Sequence, residues 1–353
     1  MRAWVALLCL TGFAGAAHAG YAAIVVDASS GQVLQQVNAD QRDYPASLTK
    51  MMTLYLTFQG LKSGKLQLDE PMQVSAHAAN MSPTRLGLRA GQTISVRDCI
   101  LGMITKSAND AAAVMAENIG GSEPAFADMM TAQAHLLGMG ETHFANASGL
   151  PNPDNTSTAH DLVRLAMALY RDFPQYAHFF ATQEFVFRGQ IVRGHNHLMY
   201  RYPGMDGLKT GYIDASGFNL ASTAVRDGRR LFAVVLGGRT AAVRDNLMAR
   251  LLDDGFAGQE TPLAVIADAS RTPLPAVASR RAKSAHSVRV AAHTHQSRSD
   301  RKVAAASACT RHTAACRRAT ASRRVRHAAT TRVAAHHPTK KAVVVAARRQ
   351  VDG

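Results

Sequence analysis

Three short motifs, Ser47-Leu48-Thr49-Lys50, Ser107-Ala108-Asn109 and Lys209-Thr210-Gly211, occur in that order along the 353-residue chain. Read as S-x-x-K, S-x-N and K-T-G, they offer a serine nucleophile, a lysine within reach of it and two polar walls for a substrate. A serine hydroxyl is a poor nucleophile until a base takes its proton. Lys50 follows Ser47 by one helical turn and so shares its face. An ordinary lysine pKa of about 10.4 must be depressed by burial or by a second cation before the amine acts as a base near neutrality. Lys209 can supply that cation. Taken singly, each motif has an ordinary structural reading, a snorkelling lysine or a Ser/Asn helix cap. The ordered set points instead to acyl transfer through a serine ester.

These residues need elements to hold them. Leu48, Met51, Met52, Tyr55 and Phe58 recur at helical spacing after Pro45-Ala46 and before Gly60, so Ser47 opens a buried helix. A capping pattern at Ser95-Val96-Arg97-Asp98 leads an apolar stretch, 99–104, and helical sequence resumes at Asp110, which puts Ser107 and Asn109 on a break between two helices. There Ser107 can relay a proton between Lys50 and a leaving amine, and the Asn109 amide can both donate to and accept from a peptide. Lys209-Thr210-Gly211 lies ahead of two β-rich runs, 218–225 and 231–236, joined by Arg226-Asp227-Gly228-Arg229, which predicts a strand followed by a hairpin. A strand edge bearing Lys and Thr, with a Gly for close backbone approach, suits an extended peptide ending in a free carboxylate. A phosphate-binding P-loop is excluded, because Leu208 stands where Gly must precede the lysine.

On these motifs the chain resembles the penicillin-binding D-alanyl-D-alanine carboxypeptidases, the low-molecular-mass serine peptidases of family S11. The resemblance extends over roughly residues 20–256. It includes the opening Ala22-Ala23-Ile24-Val25-Val26-Asp27 with its Ser29-Ser30-Gly31 turn, Phe144-Ala145-Asn146-Ala147-Ser148-Gly149-Leu150-Pro151, and Gly237-Gly238-Arg239. It implies that Ser47 is the nucleophile, Lys50 its base, Ser107 and Asn109 the second wall, and Lys209, Thr210 and Gly211 the wall on the carboxylate side. Arg239 is then the arginine that helps hold the terminal carboxylate. The resemblance also implies an oxyanion hole made by the backbone N–H groups of Ser47 and Tyr212, the latter standing where some relatives carry His.

The chain ends differ in character from its middle. Met1-Arg2, an apolar run over 5–16 and Ala17-His18-Ala19 before Gly20 form an export signal, shorter than the ~20 apolar residues of a spanning helix. Residues 271–353 hold 19 Lys and Arg against Asp300 and Asp352, a net +17; the whole chain is +15, so residues 1–270 carry −2. This tail lacks Phe, Tyr and Trp and is expected to be disordered. Its charge favours anionic envelope surfaces. Nucleic acid would be attracted equally, but export argues against that partner. The tail histidines are irregularly spaced, and His195-Asn196-His197 has no acidic or Cys partner nearby, so no metal or cofactor is expected and the H-x-H is assigned a structural or substrate-side role. Cys99 reads as a packed thiol, while Cys309 and Cys316 are the two that can pair readily.

The expected architecture is an α/β fold of the β-lactamase and transpeptidase type. In it a mostly antiparallel sheet built from N- and C-terminal strands is covered by helices, with the helical middle as the other wall of a cleft. The expected domains are a signal over 1–19, a catalytic domain over 20–258, and a linker with basic tail over 259–353. The expected function is trimming of the terminal D-Ala from peptidoglycan stem pentapeptides, in the periplasm or at the cell envelope, with β-lactams as acylating inhibitors. Endopeptidase action on cross-links is the alternative within the family. A catalytically idle wall-binding protein acting through its tail is the alternative of another class, opposed by the intact nucleophile set. A class A β-lactamase is opposed by the lack of an E-x-x-L-N segment between the second and third motifs.

Overall fold

The computed structural model describes residues 21–270. The expected export signal, the basic tail, Cys9, Cys309, Cys316 and the tail histidines lie outside the described residues. The described residues open with the hairpin β1 (Ala22–Asp27) and β2 (Val33–Val37), then a short 3-10 turn, Ala46–Thr49, runs directly into α1 (Lys50–Lys62). A helical middle follows. The small hairpin β3 (Pro71–Gln73) and β4 (Thr93–Ser95) brackets α2 (Ala76–Ala79), and α3 (Val96–Ile104), α4 (Asn109–Gly120), α5 (Glu123–Leu136) and α6 (Ala159–Asp172) succeed it. A second hairpin, β5 (Glu184–Phe187) with β6 (Gln190–Arg193), precedes the meander β7 (Met205–Ile213), β8 (Gly217–Arg226) and β9 (Arg229–Gly238). The helices α7 (Ala241–Phe256) and α8 (Leu263–Asp268) close the described chain.

The main sheet has strand order β2-β1-β9-β8-β7, with every pairing antiparallel, so N- and C-terminal strands meet at β1 and β9 as expected. Its faces follow from the two-residue period of a strand. Ile24, Val26, Phe232 and Val234 face the helical middle, while Ala23, Val25, Leu231, Ala233 and Val235 face α7 and α8. An unbroken apolar β1 therefore fits a strand buried on both sides. Inside the helical middle, whose α6 lies against the sheet, runs α1, packed against α4, α5 and α6 and apolar on nearly all sides, with Met51, Met52, Leu54 and Phe58 fully buried. Each such side chain stabilises the fold by about 1.5–3 kcal/mol. Ser95 caps α3, its hydroxyl accepting from the Asp98 N–H at 3.0 Å.

The expected domain boundary at Gly258 is corrected by the packing. Gln35 exchanges two hydrogen bonds with the Thr261 backbone (2.6 and 2.9 Å), Ile266 is fully buried beneath the sheet, and Ser270 bridges to Gly238. One apolar anchor and a few backbone bonds do this work. Hydropathy alone gives little sign of them.

Candidate active site

Among the described residues β7 is an edge strand of the main sheet, so one side of its backbone faces away from β8. Against that edge lies the turn carrying Ser47. A side chain at Gly211 would put a Cβ 3.1 Å from both Pro45 O and Ser47 N, so glycine there lets β7 close on the nucleophile's backbone. Ala46, immediately before Ser47, sits at φ +48°, and Ser107 at φ +59°. Such conformations are costly for residues with a Cβ and are held in place only by surrounding structure. Here they fix two serines at the mouth of one cleft of about 450 Å³, lined by Ser47, Ser107, Asn109, Thr210, Gly211, Tyr212 and Arg244 among others.

Lys50 is fully buried behind Ser47. Its Nζ lies 3.0 Å from Ser47 Oγ, 2.8 Å from Asn109 Oδ1 and 2.5 Å from the Ser148 carbonyl. The last two partners only accept. A neutral amine donates one N–H to each and keeps its lone pair for the Ser47 hydroxyl, which is the arrangement a general base needs. Burial pushes the Lys50 pKa well below the ordinary lysine value, and the neighbouring Lys209 lowers it further, against smaller opposing pulls from Asp110 and Glu123. Lys209, on β7, is itself buried and donates to Thr210 O at 2.8 Å; burial, then the nearby Arg244, brings it down to about 7. The sequence's pairing of the two lysines thus corresponds to a direct electrostatic effect.

The second wall is tied to the first through buried bonds. Ser107 falls on the break between α3 and α4, and Asn109 begins α4, with its Nδ2 donating to Ser82 O at 2.9 Å. Asp110, wholly buried beside it, accepts the N–H groups of Leu86, Gly87 and Leu88 at 2.9–3.1 Å. It thereby holds the segment whose Pro83 and Thr84 line the cleft. The loop over Lys50 is shaped by Asn146, whose Oδ1 accepts from Ser148 N and Gly149 N. Gly149, at φ +78°, passes so close to Ala46 that an added Cβ would overlap its carbonyl.

One assignment is corrected. Arg239 does not line the cleft: its side chain is exposed and faces Asp268 of α8 at 3.4 Å, and its N–H is taken by Ala269 O. The chain turns at Thr240, the cap of α7, and it is Arg244, one turn into that helix, that reaches the cleft. Arg244 is buried, donating to Asn219 O at 2.8 Å and to Asp245 at 2.9 Å. No motif marked it. Tyr212 is half-exposed at the cleft mouth, its ring 4.3 Å from that of Phe218 and its hydroxyl 2.7 Å from Asp214. His195 also lines the cleft, placed by its N–H to Thr105 O; burial, with Lys209, Lys106 and His197 adding to it, brings its pKa down to about 4, so the ring is neutral near pH 7. Among the described residues no group of three or more His, Cys, Asp or Glu is arranged to hold a metal. Cys99 is a fully buried thiol whose pKa burial raises, as a packed side chain should be.

Comparison with known proteins bears on this arrangement. The family model for peptidase S11, described as D-alanyl-D-alanine carboxypeptidase, matches residues 12–240. The chain is similar to D-alanyl-D-alanine carboxypeptidase DacF of Bacillus subtilis (33% identity, 69% of this chain, 64% of that protein). It is likewise similar to DacA of Escherichia coli K12 (36% identity, 67% and 61%). It thus spans a little over three fifths of the length of these curated relatives. Among solved structures it is similar to penicillin binding protein 5 from Haemophilus influenzae (TM-score 0.65, 32% identity, covering 68% of this chain and 71% of that one). The same holds for penicillin-binding protein D2 from Listeria monocytogenes in its ampicillin-bound form (TM-score 0.62, 32% identity, 68% and 98%).

Proposed function

The chain belongs to the peptidase S11 family, and from that premise we propose that it is a serine-type D-Ala-D-Ala carboxypeptidase that trims peptidoglycan stem pentapeptides through an acyl-enzyme on Ser47. The observation that carries this reading is the Lys50 amine held between two carbonyl-type acceptors, with Ser47 Oγ as its third neighbour at 3.0 Å. In the proposed reaction Lys50 takes the Ser47 proton as Oγ attacks the carbonyl carbon of the penultimate D-Ala. The oxyanion is met by the N–H groups of Ser47 and Tyr212. Lys50, with Ser107 as relay, returns the proton to the departing amine, the C–N bond breaks, and terminal D-Ala leaves. Water then cleaves the ester and restores Ser47. Thr210 and Arg244, with Lys209 behind them, form the end that receives the free carboxylate. β-Lactams enter the same cleft and acylate the same serine.

Incubation of the purified protein with a stem pentapeptide, followed by mass spectrometry, tests the reading. Loss of one D-Ala supports it. A cleaved cross-linked dimer with an untouched pentapeptide would make the enzyme an endopeptidase, and no change in either substrate would leave only wall binding.

Export and envelope association belong to the same proposal, supported by the N-terminal signal pattern and by the +17 charge on residues 271–353. No helix among the described residues is long and apolar enough to cross a membrane. Binding of the full chain to anionic vesicles should fall steeply with added salt, because exposed charges are screened within about 8 Å at physiological ionic strength.

A further inference from the structure

The carbonyl of Ser148 that receives Lys50 Nζ belongs to a loop fixed from the side away from the cleft. Ala147 N–H, one residue earlier, donates to Glu123 Oε1 at 3.0 Å, and Ala147 O accepts from Thr53 Oγ1 of α1 at 2.7 Å. Glu123 is the first residue of α5 and nearly buried, and its second oxygen lies 2.7 Å from His77 Nε2 of α2. It borders a separate groove of about 630 Å³ lined by Ser75, His77, Glu117 and Asn146 among others, which shares no residue with the catalytic cleft.

We propose that Glu123 is a positioning residue for the general base: it fixes Ala147, and through it the Ser148 carbonyl, against Lys50, and it contributes a negative charge to the lysine's surroundings. A buried carboxylate is costly unless its oxygens are paired. Here one oxygen is spent on the loop and the other on His77. The charged groups that act on Lys50 are Lys209 from β7, Asp110 from α4 and Glu123 from α5, and of the two acids Glu123 alone is bonded to the loop that carries the lysine's acceptor. Asp110 serves the segment across the cleft.

Two substitutions separate geometry from charge. Glu123→Gln keeps a carbonyl for Ala147 N–H and removes the charge; Glu123→Ala removes both. The proposal rests on Lys50 being the base for Ser47, so it is read in two ways, by the acylation rate at saturating penicillin across pH and by NMR titration of Lys50 in protein carrying 13C-labelled lysine. The Ala variant should acylate about tenfold more slowly or worse, a loss typical of a displaced catalytic group, with penicillin's noncovalent affinity within twofold of the parent. The Gln variant should recover to within about threefold, with the acid limb and the Lys50 titration both moved to lower pH by about half a unit, because an anion no longer favours the ammonium form. Glu117→Gln, tied to Ser75 at 2.9 Å rather than to the loop, should change neither. If the parent fails to react with penicillin, the carboxypeptidase reading falls, yet the Lys50 titration still decides the proposal. If Glu123→Ala fails to fold, the Gln titration decides it. An unmoved Lys50 titration and acid limb in Glu123→Gln would overturn the proposal, as would equal slowing of both variants.

Discussion

Asn109 presents its oxygen, not its nitrogen, to Lys50: Oδ1 lies 2.8 Å from Nζ while Nδ2 is committed to Ser82 O at 2.9 Å. A neutral acceptor at that point leaves the lysine free to shed its proton. Asn109→Asp places a carboxylate there instead and stabilises the ammonium form. The acid limb of penicillin acylation should therefore move to higher pH, with the rate at pH 7 reduced by about tenfold or more. Rates measured from pH 5 to 10 check this, and an unmoved limb would show that Lys50 is not the group that titrates.

Arg244 and Arg239 make opposite predictions. Arg239 faces α8, so Arg239→Ala should leave kcat/KM on a D-Ala-D-Ala peptide within about twofold. Arg244→Lys keeps a cation beside Asp245 but loses the planar fork, and a charged hydrogen bond is worth about 1.5–3 kcal/mol, so kcat/KM should fall roughly 10- to 100-fold. The loss should shrink on a substrate whose C-terminus is amidated. Equal losses on both substrates would remove Arg244 from the carboxylate end.

Lys209 links stability to pH. In the fold it loses its proton above about 7, whereas an unfolded lysine keeps it to about 10.4. Across that window the unfolded chain binds more protons, so the lysine's destabilising contribution fades as pH rises and is fully present below about 7. Lys209→Met should thus gain in Tm over the parent at pH 7 and lose most of that advantage by pH 9.5. Tyr55, Tyr170 and Tyr202, kept neutral by burial, act in the opposite sense only where an unfolded tyrosine ionises, near pH 10. A Tm difference that is constant from pH 7 to 9.5 would contradict the linkage.

What could be read from the sequence was what lies close together along it. Ser47 with Lys50, Ser107 with Asn109, and Lys209 with Thr210 are near neighbours in the chain, and helical or strand periodicity around each pair indicated which element would carry it. Arg244 could not be read that way, because its arrival in the cleft depends on where β9 ends and how α7 departs. The contact of Glu123 with Ala147 joins a side chain to a backbone N–H across 24 residues, and backbone donors carry no sequence signature. Gly258 reads as an ending because few large apolar residues and no aromatic follow it, and a glycine at positive φ does terminate α7 there, yet the chain continues into the sheet's other face.

That continuation is testable. A chain ending at residue 270 should keep the stability of the full-length protein, whereas one ending at 258 should unfold at lower temperature, losing Ile266, the Thr261 bonds and the Ser270 bridge. Ile266→Ala alone should cost about 2–4 kcal/mol in denaturant unfolding, as for other fully buried Ile truncations. Equal midpoints for the chains ending at 258 and 270 would mean that 261–270 contributes nothing to the fold.

The central claim is a serine acyl-enzyme formed with Lys50 as base, and mass mapping of the penicillin adduct tests it most directly. Brief reaction of the parent, Ser47→Ala and Lys50→Ala proteins, followed by digestion, should place one adduct on the peptide holding Ser47 in the parent. It should be absent from Ser47→Ala and slowed by at least about 100-fold in a folded Lys50→Ala protein. An adduct on any other residue, or full labelling without Lys50, would contradict the account.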